Sequence, residues 1–148
     1  MTDAKTVLFV CVENAGRSLM AEAMFNADPA PGWRAMSAGT APAKAANART
    51  GPMLAEIGFP LPDHPPVLLT RKMMDHASRI VTMGCLDSES CPAHLKTIEV
   101  TDWALEDPAE LDDGGFRRIR DRIRDRVGKL RLELIVDDRI KARIAAGQ

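Results

Sequence analysis

Val7-Leu8-Phe9-Val10 is an unbroken apolar run of β-favouring residues, and it leads straight into the polar octapeptide Cys11-Val12-Glu13-Asn14-Ala15-Gly16-Arg17-Ser18. A strand that is apolar without alternation is buried on both faces, the condition of a parallel sheet covered by helices. Beyond the octapeptide, Leu19, Met20, Ala23, Met24 and Phe25 fall at helical spacing, which predicts a helix over about residues 18–26. The chain therefore begins strand, short loop, helix. That order restricts the fold to the α/β class, with the loop at the carboxyl end of a buried strand.

The rest of the 148-residue sequence extends the pattern. Strands are expected at 33–37, 79–83 and 97–100. Helices are expected at 47–57, with Gly58 as its stop, and at 70–77. A long final helix carries Phe116, Ile119, Ile123, Val127, Leu130 and Leu134 at three- and four-residue spacing. Alternating strands and helices predict a four-stranded parallel sheet with helices on both faces. The length suits one domain, 1–148, and neither a repeat nor a linker divides it.

Composition narrows the function classes. The net charge is −1, so bulk charge suggests neither a nucleic-acid nor a membrane partner. Arg117, Arg118, Arg120, Arg122, Arg124 and Arg126 crowd the last helix, but Asp121 and Asp125 interleave with them, as on a solvated helix face. His64 and His76 read as ordinary surface or supporting residues. The apolar run at 6–10 is too short for a signal peptide, and no stretch approaches a membrane span. Three cysteines, Cys11, Cys85 and Cys91, are too few for a disulfide scaffold. These features predict a cytoplasmic location with reduced thiols.

Cys11, Arg17 and Ser18 form a Cys-x5-Arg-Ser loop. Five residues suffice to wrap backbone N–H groups around one tetrahedral oxyanion at a helix N-terminus, whose partial positive charge favours anions. Arg17 can hold two of the anion's oxygens through its planar fork. Cys11 sits in the same field, which favours the nucleophilic thiolate. Ser18 can donate a hydrogen bond to that sulfur, and Asn14 tolerates a left-handed turn that braces the loop. Alone, Cys11 would read as a buried strand-end cysteine; the combined spacing favours the anion loop.

Two further segments are chemically suggestive. Asp107-Pro108 is both a common turn and helix start and a candidate general acid for a leaving oxygen; the two readings are compatible. Cys85 and Cys91, with five residues between them, lie in the loop after a buried strand. A metal site with His94 lacks a recognised spacing, and no metal is expected. A redox pair and two unrelated structural cysteines both remain open from the residues alone. The segments 11–18, 84–91 and 103–108 all follow predicted strands, where an α/β sheet places its active site.

Residues 7–22, Ser37-Ala38-Gly39-Thr40, Val81-Thr82-Met83-Gly84-Cys85, Cys91-Pro92 and Trp103-x3-Asp-Pro-Ala resemble the arsenate reductases of the low-molecular-weight protein tyrosine phosphatase superfamily. The likeness runs in order to about residue 135 and implies a low-molecular-weight phosphatase-like fold. It implies that Cys11 attacks arsenate held by Arg17 and the loop at Glu13, Asn14, Ala15, Gly16 and Ser18, while Asp107 helps an oxygen leave as water. It further implies that Cys85 attacks the Cys11–arsenic adduct, that Cys91 takes over the disulfide, and that Asn14, Ser18 and Ser37 support the loop. No bound cofactor is implied; reducing equivalents would come from thioredoxin or a small thiol, of mycothiol or glutaredoxin type.

Three departures accompany the resemblance. Glu13 stands where many such reductases have His or a small residue, and a carboxylate there weakens anion binding unless it points outward. The Met-Gly-Cys order at Cys85 resembles the branch that uses a small thiol. Residues 136–148 run past the usual end, as a dimer contact or as disorder. The alternative activity is a tyrosine phosphatase hydrolysing phosphotyrosine or small phosphate esters through a phosphocysteine. Ala109 and Glu110 after Asp-Pro, where such phosphatases carry aromatic residues, count against it. A third class, a non-catalytic oxyanion-binding protein, is favoured only by Glu13.

Overall fold

A computed structural model describes residues 4–147. The elements run β1 (Lys5–Cys11), α1 (Arg17–Ala27), β2 (Trp33–Gly39), α2 (Thr50–Ala55), α3 (Arg71–His76), β3 (Arg79–Thr82), α4 (Ala93–Thr97), β4 (Thr101–Asp102), a 3-10 turn (Pro108–Glu110) and α5 (Asp113–Ala145). The four strands form one sheet in the order β2-β1-β3-β4. Every pairing is parallel, with Cys11 opposite Gly39 and Val10 opposite Thr82. The expected four-stranded parallel architecture is the observed one.

Strand periodicity sends alternate β1 side chains to opposite faces. Val7, Phe9 and Cys11 join a core with α1, α2 and α5, while Leu8 and Val10 join a second core with Met74 of α3, Leu95 of α4, Cys85 and Cys91. Helices thus cover both faces, which explains the unbroken apolar run. Phe9, Phe25 and Phe116 are fully buried. Each contributes about 1.5–3 kcal/mol by leaving water. Phe9 also lies 5.6 Å from the Trp103 ring, which ties the chain after β4 to the central strand.

Three expectations need correction. No strand forms over 97–100: α4 occupies Ala93–Thr97, and β4 is only Thr101–Asp102. Leu95 is fully buried in the second core, so burial through a single helical turn outweighs the local alternation of Ile98 and Val100. The helix expected over 47–57 shrinks to Thr50–Ala55; ahead of it, the Asn47 N–H is turned to the Ala15 carbonyl of the Cys11–Arg17 loop. Disorder is not what residues 136–147 show: α5 continues to Ala145, about 50 Å in all. Asp138 anchors this extension by accepting bonds from Trp33 Nε1 at 2.8 Å and Lys5 Nζ at 3.0 Å. Gln148 lies outside the described residues. Among the described residues, no helix is long and apolar enough to cross a membrane.

The α2–α5 junction depends on Glu56. Its carboxylate takes Arg117 Nε at 3.0 Å and Arg117 Nη2 at 2.9 Å, and it also binds Arg120. Hydrogen bonds from Arg117 and Arg120 pull the Glu56 carboxyl down to about 2 from 4.5. A depressed folded-state value adds stability that is present above the unfolded value and lost as pH falls through the folded one. Acid unfolding of wild type should therefore steepen between about 4.5 and 2, and Glu56→Gln should flatten that part of the curve, as read by denaturant melts at stepped pH.

Candidate active site

The loop after β1 is held from outside by its carbonyl groups. The oxygens of Cys11, Val12, Glu13 and Ala15 accept from the N–H groups of Thr40 (3.1 Å), Ala41 (2.8 Å), Ala43 (2.9 Å) and Asn47 (3.0 Å). Thr50 Oγ1 donates a second bond to the Ala15 oxygen at 2.7 Å. With the acceptors turned outward, the loop's donors turn inward. The N–H groups of Glu13, Ala15 and Gly16 make no hydrogen bond to a protein acceptor among the described residues. Helix α1 starts at Arg17 with no side-chain cap, so its first N–H groups are open to an anion as well.

The Cys11 sulfur lies 2.9 Å from Ser18 Oγ and 3.3 Å from the Asn14 N–H. Asn14 sits at φ 52°, the left-handed conformation expected of it. Its Nδ2 donates to Ser18 Oγ and to Ser37 Oγ at 2.9 Å, while its Oδ1 accepts from the Val67 N–H. Asn14, Ser18 and Ser37 thus form one hydrogen-bonded cluster at the loop. Sequence reasoning missed the rest of this network. Ser37 donates to Glu22 at 2.6 Å, and Glu22 meets His64 Nε2 at 2.8 Å. Glu22 is an acid on an otherwise buried apolar helix, four residues after Ser18, and that placement is the signal. Burial opposes the His64 charge, but the Pro65 carbonyl and the Glu22 carboxylate outweigh it and raise its pKa.

Arg17 is buried. Its Nη1 donates to the carbonyls of Met83 and Leu105, the latter at 2.9 Å, which joins the segments after β1, β3 and β4 at one sheet edge. Its Nη2 lies 3.7 Å from Asp107 Oδ2, and Asp107 is 45 % exposed. Asp107 Oδ1 also accepts the Ala109 N–H at 3.0 Å, so it is both turn cap and candidate acid, as the sequence allowed. Cys11, Glu13, Ala15, Gly16, Arg17, Asn47, Asp107, Pro108, Ala109 and Phe116 line one small pocket. Glu13 is exposed at its mouth, where water screens the carboxylate.

The other two thiols lie on the opposite face of the sheet edge. Cys85 is fully buried, with its sulfur 3.8 Å from the Val10 carbonyl. Burial, reinforced by the neighbouring Cys91 and Cys11 sulfurs, pushes its thiol up to about 12. Burial also raises Cys91, which is 8 % exposed at the start of α4. All three cysteines are free. Among the described residues, no three His, Cys, Asp or Glu side chains gather as metal ligands. Ser90, between the two thiols, contacts Thr40 Oγ1 at 2.7 Å, which ties their loop to the residue whose N–H grips the Cys11 carbonyl.

Gly84 lets Arg17 reach its position. Its φ is +81°, and a Cβ there would stand 2.8 Å from Arg17 Nη1 and 3.1 Å from the Leu105 oxygen. Gly84→Ala should displace the guanidinium and weaken inhibition by inorganic phosphate roughly tenfold, equivalent to about 1.4 kcal/mol. An unchanged inhibition constant would show that the fork is not placed by this close contact.

Comparisons with known proteins agree with this geometry. Residues 6–141 match the family model of low molecular weight phosphotyrosine protein phosphatases. A putative arsenate reductase of Halobacterium salinarum is 33% identical over 135 residues, covering 88% of this chain and 93% of that protein. An arsenate reductase of Archaeoglobus fulgidus superposes with a TM-score of 0.68 at 38% identity, covering 84% of this chain and 98% of that one. A thioredoxin-dependent arsenate reductase of Corynebacterium glutamicum superposes with a TM-score of 0.75 at 29% identity over 92% of this chain; the match spans 64% of that protein, just under two-thirds of its length. With this family model covering most of its length and its loop, arginine and aspartate assembled at one sheet edge, the chain belongs to the low molecular weight phosphotyrosine protein phosphatase family.

Proposed function

We propose that the protein is an arsenate reductase that works through a Cys11–arsenic adduct and a relay of Cys85 and Cys91. The observation that carries the reading is the presence of two spare free thiols across the sheet edge from the anion loop, one of them with its sulfur 3.8 Å from the carbonyl of Val10, the residue before the nucleophile. Hydrolysis of a phosphate ester needs Cys11, Arg17 and Asp107 but gives Cys85 and Cys91 no task. The reductases among its relatives support the same choice.

The inward N–H groups and Arg17 hold the tetrahedral oxyanion over Cys11. The Cys11 thiolate attacks arsenic, an S–As bond forms, and one As–O bond breaks; Asp107 supplies a proton so that the oxygen leaves as water. The Cys85 sulfur then attacks the Cys11 sulfur, its proton passing to an oxygen of the departing arsenic group, which becomes basic as the electron pair arrives. An S–S bond forms, the S–As electron pair stays on arsenic, and As(V) departs as arsenite, As(III). Cys91 next attacks Cys85, releasing Cys11 as thiolate and leaving a Cys85–Cys91 disulfide.

An external thiol closes the cycle by reducing that disulfide. Cys85 is wholly enclosed and Cys91 lies nearer the surface, so the reductant meets Cys91 first. A dithiol protein of the thioredoxin kind or a small thiol such as mycothiol fits this requirement. The raised pKa of Cys85 keeps it a protonated, weakly nucleophilic thiol at rest.

Cys11→Ser should abolish both arsenate reduction and aryl phosphate hydrolysis, each by on the order of 10³-fold or more. Cys85→Ser should stop arsenite formation while leaving aryl phosphate hydrolysis within about twofold of wild type. Normal arsenate reduction by the Cys85 variant would overturn the relay.

A further inference from the structure

Asp107 needs support that its own chain segment does not provide. The strand before it, β4, has two residues, and the connecting loop passes through Ala104 at φ 48°, a left-handed conformation unfavourable for a side chain with a Cβ. The carboxylate is half exposed, and its one ion-pair partner among the described residues, Arg17, stands 3.7 Å away. Asp107 caps a single 3-10 turn, too short to be stable alone.

We propose that Arg49 is the positioning residue for the Asp107 acid; this rests on the reading of Asp107 as proton donor. The Arg49 guanidinium gathers the carbonyls of that turn. Its Nη2 donates to Pro108 and Ala109, each at 3.2 Å, and its Nη1 donates to Leu111 at 2.9 Å and to Asp113 Oδ1 at 3.2 Å. Its plane lies over the Phe116 ring, with Cζ 4.8 Å from the ring centre. A planar fork with donors at fixed angles can satisfy this set; a lysine ammonium cannot.

The same short segment grips the nucleophile loop. The Arg49 N–H is held by Asn47 Oδ1 at 2.9 Å, while the Asn47 N–H and Thr50 Oγ1 both hold the Ala15 carbonyl. Residues 47–50 therefore fasten the anion loop by their backbone and Thr50 and fasten the acid turn by Arg49. Arg49 fixes the spacing between nucleophile and acid, two groups 96 positions apart in sequence.

The test is steady-state hydrolysis of a series of aryl phosphates with leaving groups of graded pKa, plus single-turnover arsenate reduction, in wild type, Arg49→Lys, Arg49→Ala, Asp107→Ala and the Arg49→Ala/Asp107→Ala double variant. Loss of a well-placed general acid costs about 10²–10⁴-fold, so a misplaced one should lower kcat on poor leaving groups by roughly 10–100-fold. The loss should be much smaller on p-nitrophenyl phosphate, and inhibition by inorganic phosphate should be unchanged. Arg49→Lys should show the same leaving-group trend, which keeps the test available if the alanine variant folds badly. In the Asp107→Ala background, Arg49→Ala should have no further effect. Equal loss on every leaving group, weakened phosphate inhibition, or an undiminished effect without Asp107 would overturn the proposal for Arg49 while leaving the reductase reading intact. A wild type inert toward both substrates would overturn both.

Discussion

A peptide unit carries a donor and an acceptor, and aiming the donors at an anion requires that the acceptors be satisfied elsewhere. In this protein that requirement falls on residues 40–50. Thr40, Ala41, Ala43, Asn47 and Thr50 take the loop's carbonyl oxygens in sequence, so the N–H groups of Glu13, Ala15 and Gly16 are left for an anion. The approach is close enough to dictate residue type. A Cβ on Gly39 would stand 2.6 Å from the Val12 oxygen and 2.9 Å from the Asn14 nitrogen, both backbone atoms that cannot yield cheaply. The pairing of Cys11 with Gly39 in the sheet brings these two segments together, so the anion site depends on strand register.

Three thiols at one sheet edge occupy different electrostatic surroundings, and the difference suits an ordered relay. Cys11 has Ser18 Oγ and the Asn14 N–H beside its sulfur, at the mouth of an uncapped helix. Cys85 is enclosed among apolar side chains, and burial keeps its proton on at neutral pH. Cys91 lies at the margin of the same core. Sulfur attacks as thiolate, so burial holds Cys85 and Cys91 back as protonated thiols on the far face of the sheet.

The parts of the site that are contiguous in sequence were legible there. The Cys11–Ser18 loop is read from eight neighbouring residues because its helix start, fork and left-handed turn are local properties. Asp107 was legible through its Pro108 neighbour, and the parallel sheet through the unbroken run 7–10. Arg49, Thr50, Glu22 and His64 were not legible as site residues, because each acts on a segment far away in the chain and its own neighbourhood is unremarkable. The strand expected at 97–100 failed for a related reason: burial of Leu95 decides that stretch, and burial is set by the second core rather than by alternation. The extension beyond residue 135 is helical because Asp138 finds Lys5 and Trp33 on the first and second strands, partners that spacing does not reveal.

The central claim is that two thiols beyond Cys11 are consumed in one chemical turnover. Fully reduced protein mixed with one equivalent of arsenate, with external thiols removed, should release one equivalent of arsenite and fall from three titratable thiols to one, with peptide mapping locating the disulfide between Cys85 and Cys91. Three titratable thiols and unreduced arsenate after prolonged incubation would contradict the account.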